Sequence, residues 1–543
     1  MAESADSGQL AGTIRLFALG DTKDQVLLVP PPTDSPNDPL NWSSFRKRWS
    51  AGLVLFVTAL TAATSNSAGA AGTALVDEYG ISWGVQDTAA GVLFVGVGYC
   101  TLLLSSAPWL YGRRISYLVC LVFSIIGSAW FASSRNAGDT IGCQLFLGAS
   151  ESVAEATVQL SLMDLYHQHQ RGAVLGIYVL ATSVGTFLGP LISGYIADSS
   201  LGWTWMGWLS VIISAVTLVV FYFGLEETTF ERNIFVAGVN APRTDVNSRI
   251  VNDPEKRANS NVTPPSELHP GIGHGFEPSY DQTPKSYRQR VALITPAPNL
   301  VGTGFKQYFR RIWHTLRVFY FPAVLYAGLQ WGAQDAWLSF YLTVQDDNWT
   351  SSPYNYDDAA DAIMNVPTLI GAIIGCVYGG YFSDVFVRWM AKRNGGVSEA
   401  EHRLWLMYLP AIVSPIGLII FGIGTNDYWS WPVPYVGLGF IGFGWGCAGD
   451  LSMAYLMDSY PDMVLEGMVG VSVLNNTLAC IFTFVCGIWL DEHSVAEVFV
   501  ALGILSFVFM IGLTILMMWF GKPCRKLTAG KYEEFLRLRG ESG

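Results

Sequence analysis

The sequence predicts an all-α membrane protein with twelve transmembrane helices in two six-helix bundles. Three observations carry this prediction: apolar stretches as long as membrane helices recur along the chain, six fall on either side of one polar insert, and charged residues are scarce. Of 543 residues, 51% are hydrophobic and 14% are charged, whereas a soluble domain usually carries about 25% charged residues.

Each apolar stretch is long enough to cross a bilayer, because about 20 residues at a rise of about 1.5 Å span a hydrocarbon core of about 30 Å. Only helices and closed barrels satisfy their backbone there, and these stretches are too long for barrel strands. They cover residues 49–70, 88–110, 115–133, 141–163, 173–196, 203–225, 319–344, 360–382, 404–424, 432–456, 467–489 and 498–520.

The order of the stretches predicts five regions. They are a cytoplasmic tail at 1–48, a first bundle at 49–225, a cytoplasmic linker at 226–317, a second bundle at 318–520 and a cytoplasmic tail at 521–543. The linker is polar and rich in proline, which predicts that most of it is disordered. An amphipathic piece around 305–316 is expected to lie on the membrane surface.

The basic residues predict the orientation. If the N-terminus is cytoplasmic, only Arg135 of the 31 Lys and Arg residues lies outside, which is a strong positive-inside bias. Both termini are therefore expected in the cytoplasm, and the expected host is the plasma membrane. Of four glycosylation sequons, only the one at Asn348 would lie outside, whereas Asn41 and Asn261 would be cytoplasmic and Asn475 would lie within a helix.

Several other classes of protein are excluded. A net charge of −12 and the lack of a basic arm argue against nucleic-acid binding. A GxxxxGK[ST] phosphate loop is missing, as are HExxH and GxSxG motifs, which argues against an ATP-driven pump and against an enzyme. The eight cysteines form no CxxC pair or His/Cys cluster, so no cofactor, metal or disulfide framework is expected. The expected partners are a small-molecule substrate, protons and the lipid bilayer, and the chain is expected to be a monomer.

Acidic and amide side chains inside the apolar stretches are the strongest functional signal, because polar groups are expensive there. Glu151 and Glu155 lie four residues apart and share one helical face. A carboxyl group in a low-dielectric site favours its neutral form and can carry a proton, or it stays charged and attracts a cationic solute. The alternative is a structural carboxyl hydrogen-bonded to a neighbouring helix. The candidates for proton coupling or substrate binding are Glu151, Glu155, Asp450, Asp335, Gln330, Gln334, Asn66, Asn475 and Asn476.

Several motifs stand at defined places relative to the stretches. NDPLNW precedes the first stretch, LYGRR follows the second, LGP-x-x-x-G lies in the fifth, and GWTW follows it. LEETTFERN begins the insert, and RNGGVSEAEHRLW precedes the ninth stretch. Together they resemble the major facilitator superfamily, and within it the fungal drug:proton antiporter-like branch. The resemblance implies the major facilitator fold and transport by alternating access of its two halves.

The resemblance also implies gating residues in the fifth stretch. Gly185, Gly189 and Pro190 match an element that the family associates with antiporters. Glycine lets helices approach closely, and proline removes a backbone hydrogen bond and permits bending. The alternative is a tightly packed, kinked helix without a gating role.

In the family, a cytoplasmic turn in each half pairs an acidic residue with arginines and forms a charge latch. The second half keeps the pattern with Asp384 and Arg388. In the first half Trp109 occupies the acidic slot, next to Arg113 and Arg114. The first latch is therefore weakened, and its two arginines serve either in gating or as positive-inside anchors.

The sequence favours a proton-coupled secondary active transporter that exports small organic compounds such as drugs or secondary metabolites. In this hypothesis Glu151 or Glu155 takes up and releases a proton in alternation with substrate binding. Two alternatives stay open. One is a proton-coupled importer of a cationic nutrient such as a polyamine, and the other is a nutrient sensor that does not transport.

Overall fold

The computed structural model describes residues 10–16, 33, 35–167, 170–230 and 283–542. The centre of the predicted linker, residues 231–282 with the sequon at Asn261, lies outside the described residues. Most of the described chain is helical, as the apolar stretches predict.

Twelve long helices, numbered here in chain order, follow the twelve predicted stretches. They are α1 (Ser44–Asn66), α2 (Trp83–Leu104), α3 (Arg113–Ala132), α4 (Ala137–Leu165), α5 (Arg171–Ala197), α6 (Thr204–Gly224), α7 (Pro322–Val344), α8 (Asn365–Cys376, continued by a π-helical turn at Val377–Phe382 and by Ser383–Arg393), α9 (Pro410–Asn426), α10 (Val433–Ser459), α11 (Val464–Glu492) and α12 (Val495–Ser542). Shorter helical pieces lie at Pro39–Asn41, Ser67–Ala71, Gly72–Tyr79, Ala107–Leu110, Tyr287–Arg290, Phe305–Thr315, Leu316–Tyr320, Gln345–Trp349, Asp358–Ile363 and Ala400–Tyr408.

The ends of the helices differ from the predicted ends for local reasons. α1 begins earlier than expected, because the Ser43 side chain accepts a hydrogen bond from the Arg46 backbone N–H and caps the helix. α12 continues far past residue 520, as one helix to Ser542. The predicted C-terminal tail is thus mostly a helical extension.

Nine helical runs within the described chain have both the length and the hydropathy of a membrane span. Helices α4, α7 and α10 are long enough but less apolar, because they carry the acidic and amide residues singled out above. Most of their residues are buried inside the protein. The remaining helices surround them, so their polar side chains face protein rather than lipid.

The two halves of the chain pack in the same pattern. In the first half α2 packs on α4, α1 on α5 and α3 on α6, and in the second half α8 packs on α10, α7 on α11 and α9 on α12. The contacts between the halves repeat this symmetry, with α2 against α11 and α8 against α5. The result is two six-helix bundles that meet along a common central axis.

Both ends of the described chain lie on one face of the protein, which we call the tail face. There strand β1 (Thr13–Arg15) pairs antiparallel with strand β2 (Val397–Glu399) of the loop between α8 and α9. The extension of α12 and the helix Phe305–Thr315 lie on the same face. The opposite face, where α1 ends and α2 begins, is called the distal face.

Arg525 on the extension of α12 ties the tail face together. Its side chain is buried and pairs with Glu399 at 3.2 Å and with Glu401 at 2.6 Å. It also donates a hydrogen bond to the carbonyl of Ala11, just before β1. A single guanidinium therefore links the N-terminal segment, the α8–α9 loop and the C-terminal helix.

We expect Arg525→Ala to lower the free energy of unfolding by about 1.5–3 kcal/mol, because the half-buried Glu399 and Glu401 carboxylates lose a charged hydrogen-bond donor. The measurement is thermal unfolding of the purified protein in detergent, together with proteolysis at residues 10–16. The neighbouring exposed Lys526 supplies the control, Lys526→Ala, which should behave as the wild type. Equal stability of the two variants would contradict the role assigned to Arg525.

Candidate functional site

Three carboxyl groups meet where the two bundles join, and we call Glu151, Glu155 and Asp335 the central carboxyl cluster. Glu151 and Glu155 share one face of α4, as their spacing predicts. The Ser65 hydroxyl of α1 donates a hydrogen bond of 2.5 Å to Glu151. Glu155 lies within electrostatic reach of both Glu151 and Asp335, and Ser472 of α11 hydrogen-bonds to it.

Asp335 brings the second half of the chain into the cluster. Its carboxylate accepts a hydrogen bond of 2.8 Å from the Trp445 indole N–H of α10, and the Asn475 amide of α11 lies beside it as a further partner. Among the described residues, each acidic group in the cluster is therefore held by neutral donors and not by an arginine or lysine. Such a carboxyl can lose or gain a proton without breaking a salt bridge.

Aromatic rings cover one side of the cluster. Trp331 and Trp445 lie 4.6 Å apart between ring centroids, and Phe187 of α5 packs edge-on against Trp445 at 5.8 Å. Tyr178 of α5 lies within electrostatic reach of Glu155. The faces of these rings can attract a cation as well as apolar groups.

A cavity of about 560 Å³ leads from the distal face toward the cluster. Ser65 lines this cavity and also binds Glu151, so it connects the two. Gln144 lies on α4 two turns before Glu151 and lines the cavity, and its buried Oε1 atom has no partner among the described residues. The half-buried Asn66 and Gln86 side chains also line the cavity and can hydrogen-bond to a solute.

The charged residues that line the cavity are all acidic. They are Asp87, Asp347 and Asp491, which we call the distal carboxyl ring, and the described lining contains no Lys, Arg or His. Burial, and then the neighbouring Asp491 carboxylate, raises the pKa of Asp347. The ring is thus a place where negative charges repel one another and a cation relieves the repulsion.

The tail face is closed beneath the cluster by contacts that we call the tail-face gate. Asp384, at the start of the last segment of α8, accepts a hydrogen bond of 2.8 Å from the Ala173 backbone N–H at the first turn of α5. A carboxylate is favoured at a helix N-terminus, where the helix dipole is positive. Arg403 holds this carboxylate at 2.8 Å and pairs with Asp458 at 2.5 Å.

Two further contacts complete the tail-face gate. Arg171 of α5 donates a hydrogen bond of 3.1 Å to the Met457 carbonyl of α10. Gly176 of α5 approaches Gly380 of α8 so closely that a Cβ on Gly380 would lie 3.0 Å from the Gly176 Cα. The structure is therefore open at the distal face and closed at the tail face.

Comparison with known proteins agrees with this architecture. The sequence profile of the Major Facilitator Superfamily matches residues 53–483. The chain belongs to the major facilitator superfamily. An uncharacterised MFS-type transporter of Schizosaccharomyces pombe is 51% identical, over 95% of this chain and 90% of its own length. Protein HOL1 of Saccharomyces cerevisiae is 46% identical, over 97% of this chain and 95% of its own length.

Solved structures show the same superfamily fold. The proton:xylose symporter XylE superposes with a TM-score of 0.56, over 88% of this chain and 96% of its own, at 13% sequence identity. At that identity the likeness extends to the fold alone. The resemblance to the major facilitator superfamily and the predicted fold class are thus both confirmed.

The superfamily latch of the second half involves a different arginine from the expected one. Arg388 donates a hydrogen bond of 3.2 Å to the Asp384 carbonyl, one turn earlier in its own helix. The Asp384 carboxylate is instead paired with Arg403. Arg403 lies in the RNGGVSEAEHRLW motif that supports the family resemblance, but its spacing from Asp384 gives no local signal of the pair.

In the first half, the two arginines bind within their own bundle and the adjoining linker. The Arg113 guanidinium lies 3.3 Å from Asp164, and Arg114 donates hydrogen bonds to backbone carbonyls of Tyr222 and Val291. The Glu227 carboxylate accepts from both backbone N–H groups at the start of α3. Neither arginine contacts the other half through these bonds.

Two arginines lie over Trp109, the residue in the acidic slot. One is Arg113, at 4.8 Å from the ring centroid, and the other comes from the second half of the chain. Arg539, near the end of α12, lies over the Trp109 ring at 5.1 Å and 3.7 Å from the Glu466 carboxylate in the first turn of α11. In place of the missing acidic residue, the first latch thus contains Glu466 of α11, paired with Arg539 from the extension of α12. No spacing rule in the sequence connects Trp109, Glu466 and Arg539, because they are far apart along the chain.

The other predicted site residues are divided between the cavity and helix–helix contacts. Asn66 and Pro190 line the distal side. Gln330 and Gln334 hydrogen-bond to Met510 of α12, and Asn476 bonds to the Ser472 carbonyl on its own helix. Gly189 packs against Ala63 of α1. The structure therefore brings Asn66 and Asn475 near the cavity or the cluster, but not Gln330, Gln334 or Asn476.

We expect Arg539→Gln to loosen the first latch, because it removes a cation–π contact and an ion pair worth about 1–2 kcal/mol together. The measurement is the rate of maleimide labelling in a Ser106→Cys background, since Ser106 is buried beside Trp109. Labelling should accelerate several-fold in the double variant. Lys526→Gln, which removes an exposed charge from the same extension, should leave the rate unchanged, and equal rates in both would contradict the latch.

Proposed function

We propose that this protein is a proton-coupled secondary active transporter that takes up organic cations. The observation that carries the proposal is the uniform sign of the ionisable groups along the path. The distal carboxyl ring and the central carboxyl cluster are both acidic, and the described lining of the cavity contains no base. A path of one sign attracts the opposite charge and excludes anions.

The proposal fits an elongated cation with more than one amino group, such as a polyamine. One ammonium group can pair with the distal carboxyl ring while another approaches the central cluster, with the methylene chain against the aromatic rings. Among the residues that the structure describes, this path offers no basic side chain to pair with an anion or a phosphate.

Proton coupling in this proposal rests on the central carboxyl cluster. Glu151 and Glu155 are held by serine hydroxyls, which can serve an ionised or a neutral carboxyl equally, because a hydroxyl both donates and accepts. A proton taken up from the distal side neutralises one carboxyl group of the cluster before the halves rock, and its loss on the tail side restores the negative charge. The distal side is proposed to face the outside of the plasma membrane, with the tail face in the cytoplasm.

Export of organic compounds is the second candidate. It is supported by Gly185, Gly189 and Pro190 of α5, which match the antiporter element, and by their close packing against α1. The acidic distal ring favours uptake over export, because it concentrates cations on the side from which an importer must capture them.

Uptake of labelled spermidine into cells lacking their own uptake system tests the proposal. We expect uptake that depends on an inward proton gradient and fails for a neutral sugar or a dicarboxylate. The double variant Glu151→Gln/Glu155→Gln should abolish the dependence on the gradient. Efflux of preloaded substrate under the same gradient, without uptake, would instead favour the exporter.

We expect Asp87→Asn with Asp347→Asn to raise the KM for a polyamine about two- to fivefold per lost charge, since a partly exposed ion pair contributes up to about 1 kcal/mol. The maximal rate should change little, because the central cluster is intact. The matched control is Asp427→Asn, an exposed aspartate outside the cavity lining. The same KM in all three proteins would contradict a role of the ring in capture.

The proposed orientation predicts a glycan at Asn348, which lies between α7 and α8. Treatment with an amidase that removes N-linked glycans should lower the apparent mass of the wild type. Asn348→Gln should abolish this mass shift. A shift that persists in this variant, or a glycan at Asn41 before α1, would contradict the orientation.

A further inference from the structure

Asp450 is an acidic residue of α10 that the central carboxyl cluster does not include. It has no exposed surface, and neither carboxylate oxygen has a hydrogen-bond partner among the described residues. Buried polar groups in proteins nearly always have such a partner. A buried carboxyl group left without one therefore requires an explanation.

Glycine backbones from both halves of the protein cover this carboxyl group. A Cβ placed on Gly176 of α5 would lie 2.9 Å from Asp450 Oδ2, and Cβ atoms on Gly379 and Gly380 of α8 would lie 3.1 Å and 3.0 Å from it. Gly176 belongs to the first half, and Gly380 takes part in the tail-face gate. Asp450 is therefore sealed from water only while α5 packs on α8.

The titratable groups near Asp450 do not neutralise it. Cys376 of α8 and Cys447 of α10 lie within electrostatic reach. Arg403 and Asp384 of the tail-face gate also interact with it, but Arg403 is already bound to the Asp384 and Asp458 carboxylates. From α5 the group that covers it is Gly176, which carries no charge.

The protonation state follows from this burial. An ionised carboxylate without a hydrogen bond is strongly disfavoured deep in the protein, because it has lost its hydration. The same group in contact with water ionises readily. Closing the tail-face gate over Asp450 therefore requires a proton on its carboxyl group.

We propose that Asp450 is the proton-binding site of the tail-face gate. It holds a proton while α5 packs on α8, and when α5 withdraws the O–H bond breaks and the proton passes to water at the tail face. The proton returns from the same side when the gate closes. The site thus makes gate opening depend on the pH at the tail face, but its proton is not among those carried across the membrane. This proposal rests on the alternating access of the proposed function.

Hydrogen–deuterium exchange of the purified protein, without substrate, tests this proposal. The reporter is the first two turns of α5, corrected for the intrinsic pH dependence of exchange. In the wild type, protection should fall as pH rises, by up to about tenfold per pH unit where Asp450 titrates. Asp450→Asn cannot ionise, so protection should stay high and its pH dependence should disappear.

Matched variants keep the test decisive. Asp427→Asn, a change of the same kind on the surface, should keep the wild-type profile. If Asp450→Asn does not fold, Asp450→Ser decides, because serine is also unable to ionise and is smaller, so protection should again be independent of pH. An unchanged pH profile in the variant that folds would overturn the proposal. A wild-type pH response without any uptake of organic cations would reject the proposed function alone.

Discussion

The cost of a charge in a low-dielectric interior is the constraint on which the rest of this structure depends. A membrane protein avoids that cost at nearly every position within the bilayer. Here the acidic residues inside the apolar stretches lie mainly on α4, α7 and α10. These helices are enclosed by their neighbours, and their acidic groups point to the junction between the halves. Among the described residues, serine, indole and amide donors hold the central carboxyl cluster. In the proposed function this matters, because a permanent salt bridge would fix charges that have to change.

Much of the fold could be predicted from the sequence, because hydrophobic length is a local property. The twelve stretches, the polar insert and the shared face of Glu151 and Glu155 need no knowledge of distant contacts. The helix Phe305–Thr315 also lies where its amphipathic pattern predicts a helix. Helix ends were less predictable, since capping by Ser43 and packing of the α12 extension decide them.

The candidate site could be predicted only in part, because its partners come from helices that are far apart in sequence. Trp445 and Ser65 give no local sign that they bind Asp335 and Glu151. Gln330 and Gln334 look equivalent to Asp335 in the sequence, yet their side chains turn toward α12. Arg403 and Arg539 reach their acidic partners by tertiary packing, which composition and spacing do not encode.

The pairing of β1 with β2 has a consequence for how the chain matures. Strand β1 precedes all twelve membrane helices, whereas β2 follows eight of them and Arg525 lies in the extension of the twelfth. During synthesis, β1 therefore leaves the ribosome before either partner exists. Its docking is a late event, and it marks the point at which α12 and the α8–α9 loop have come together.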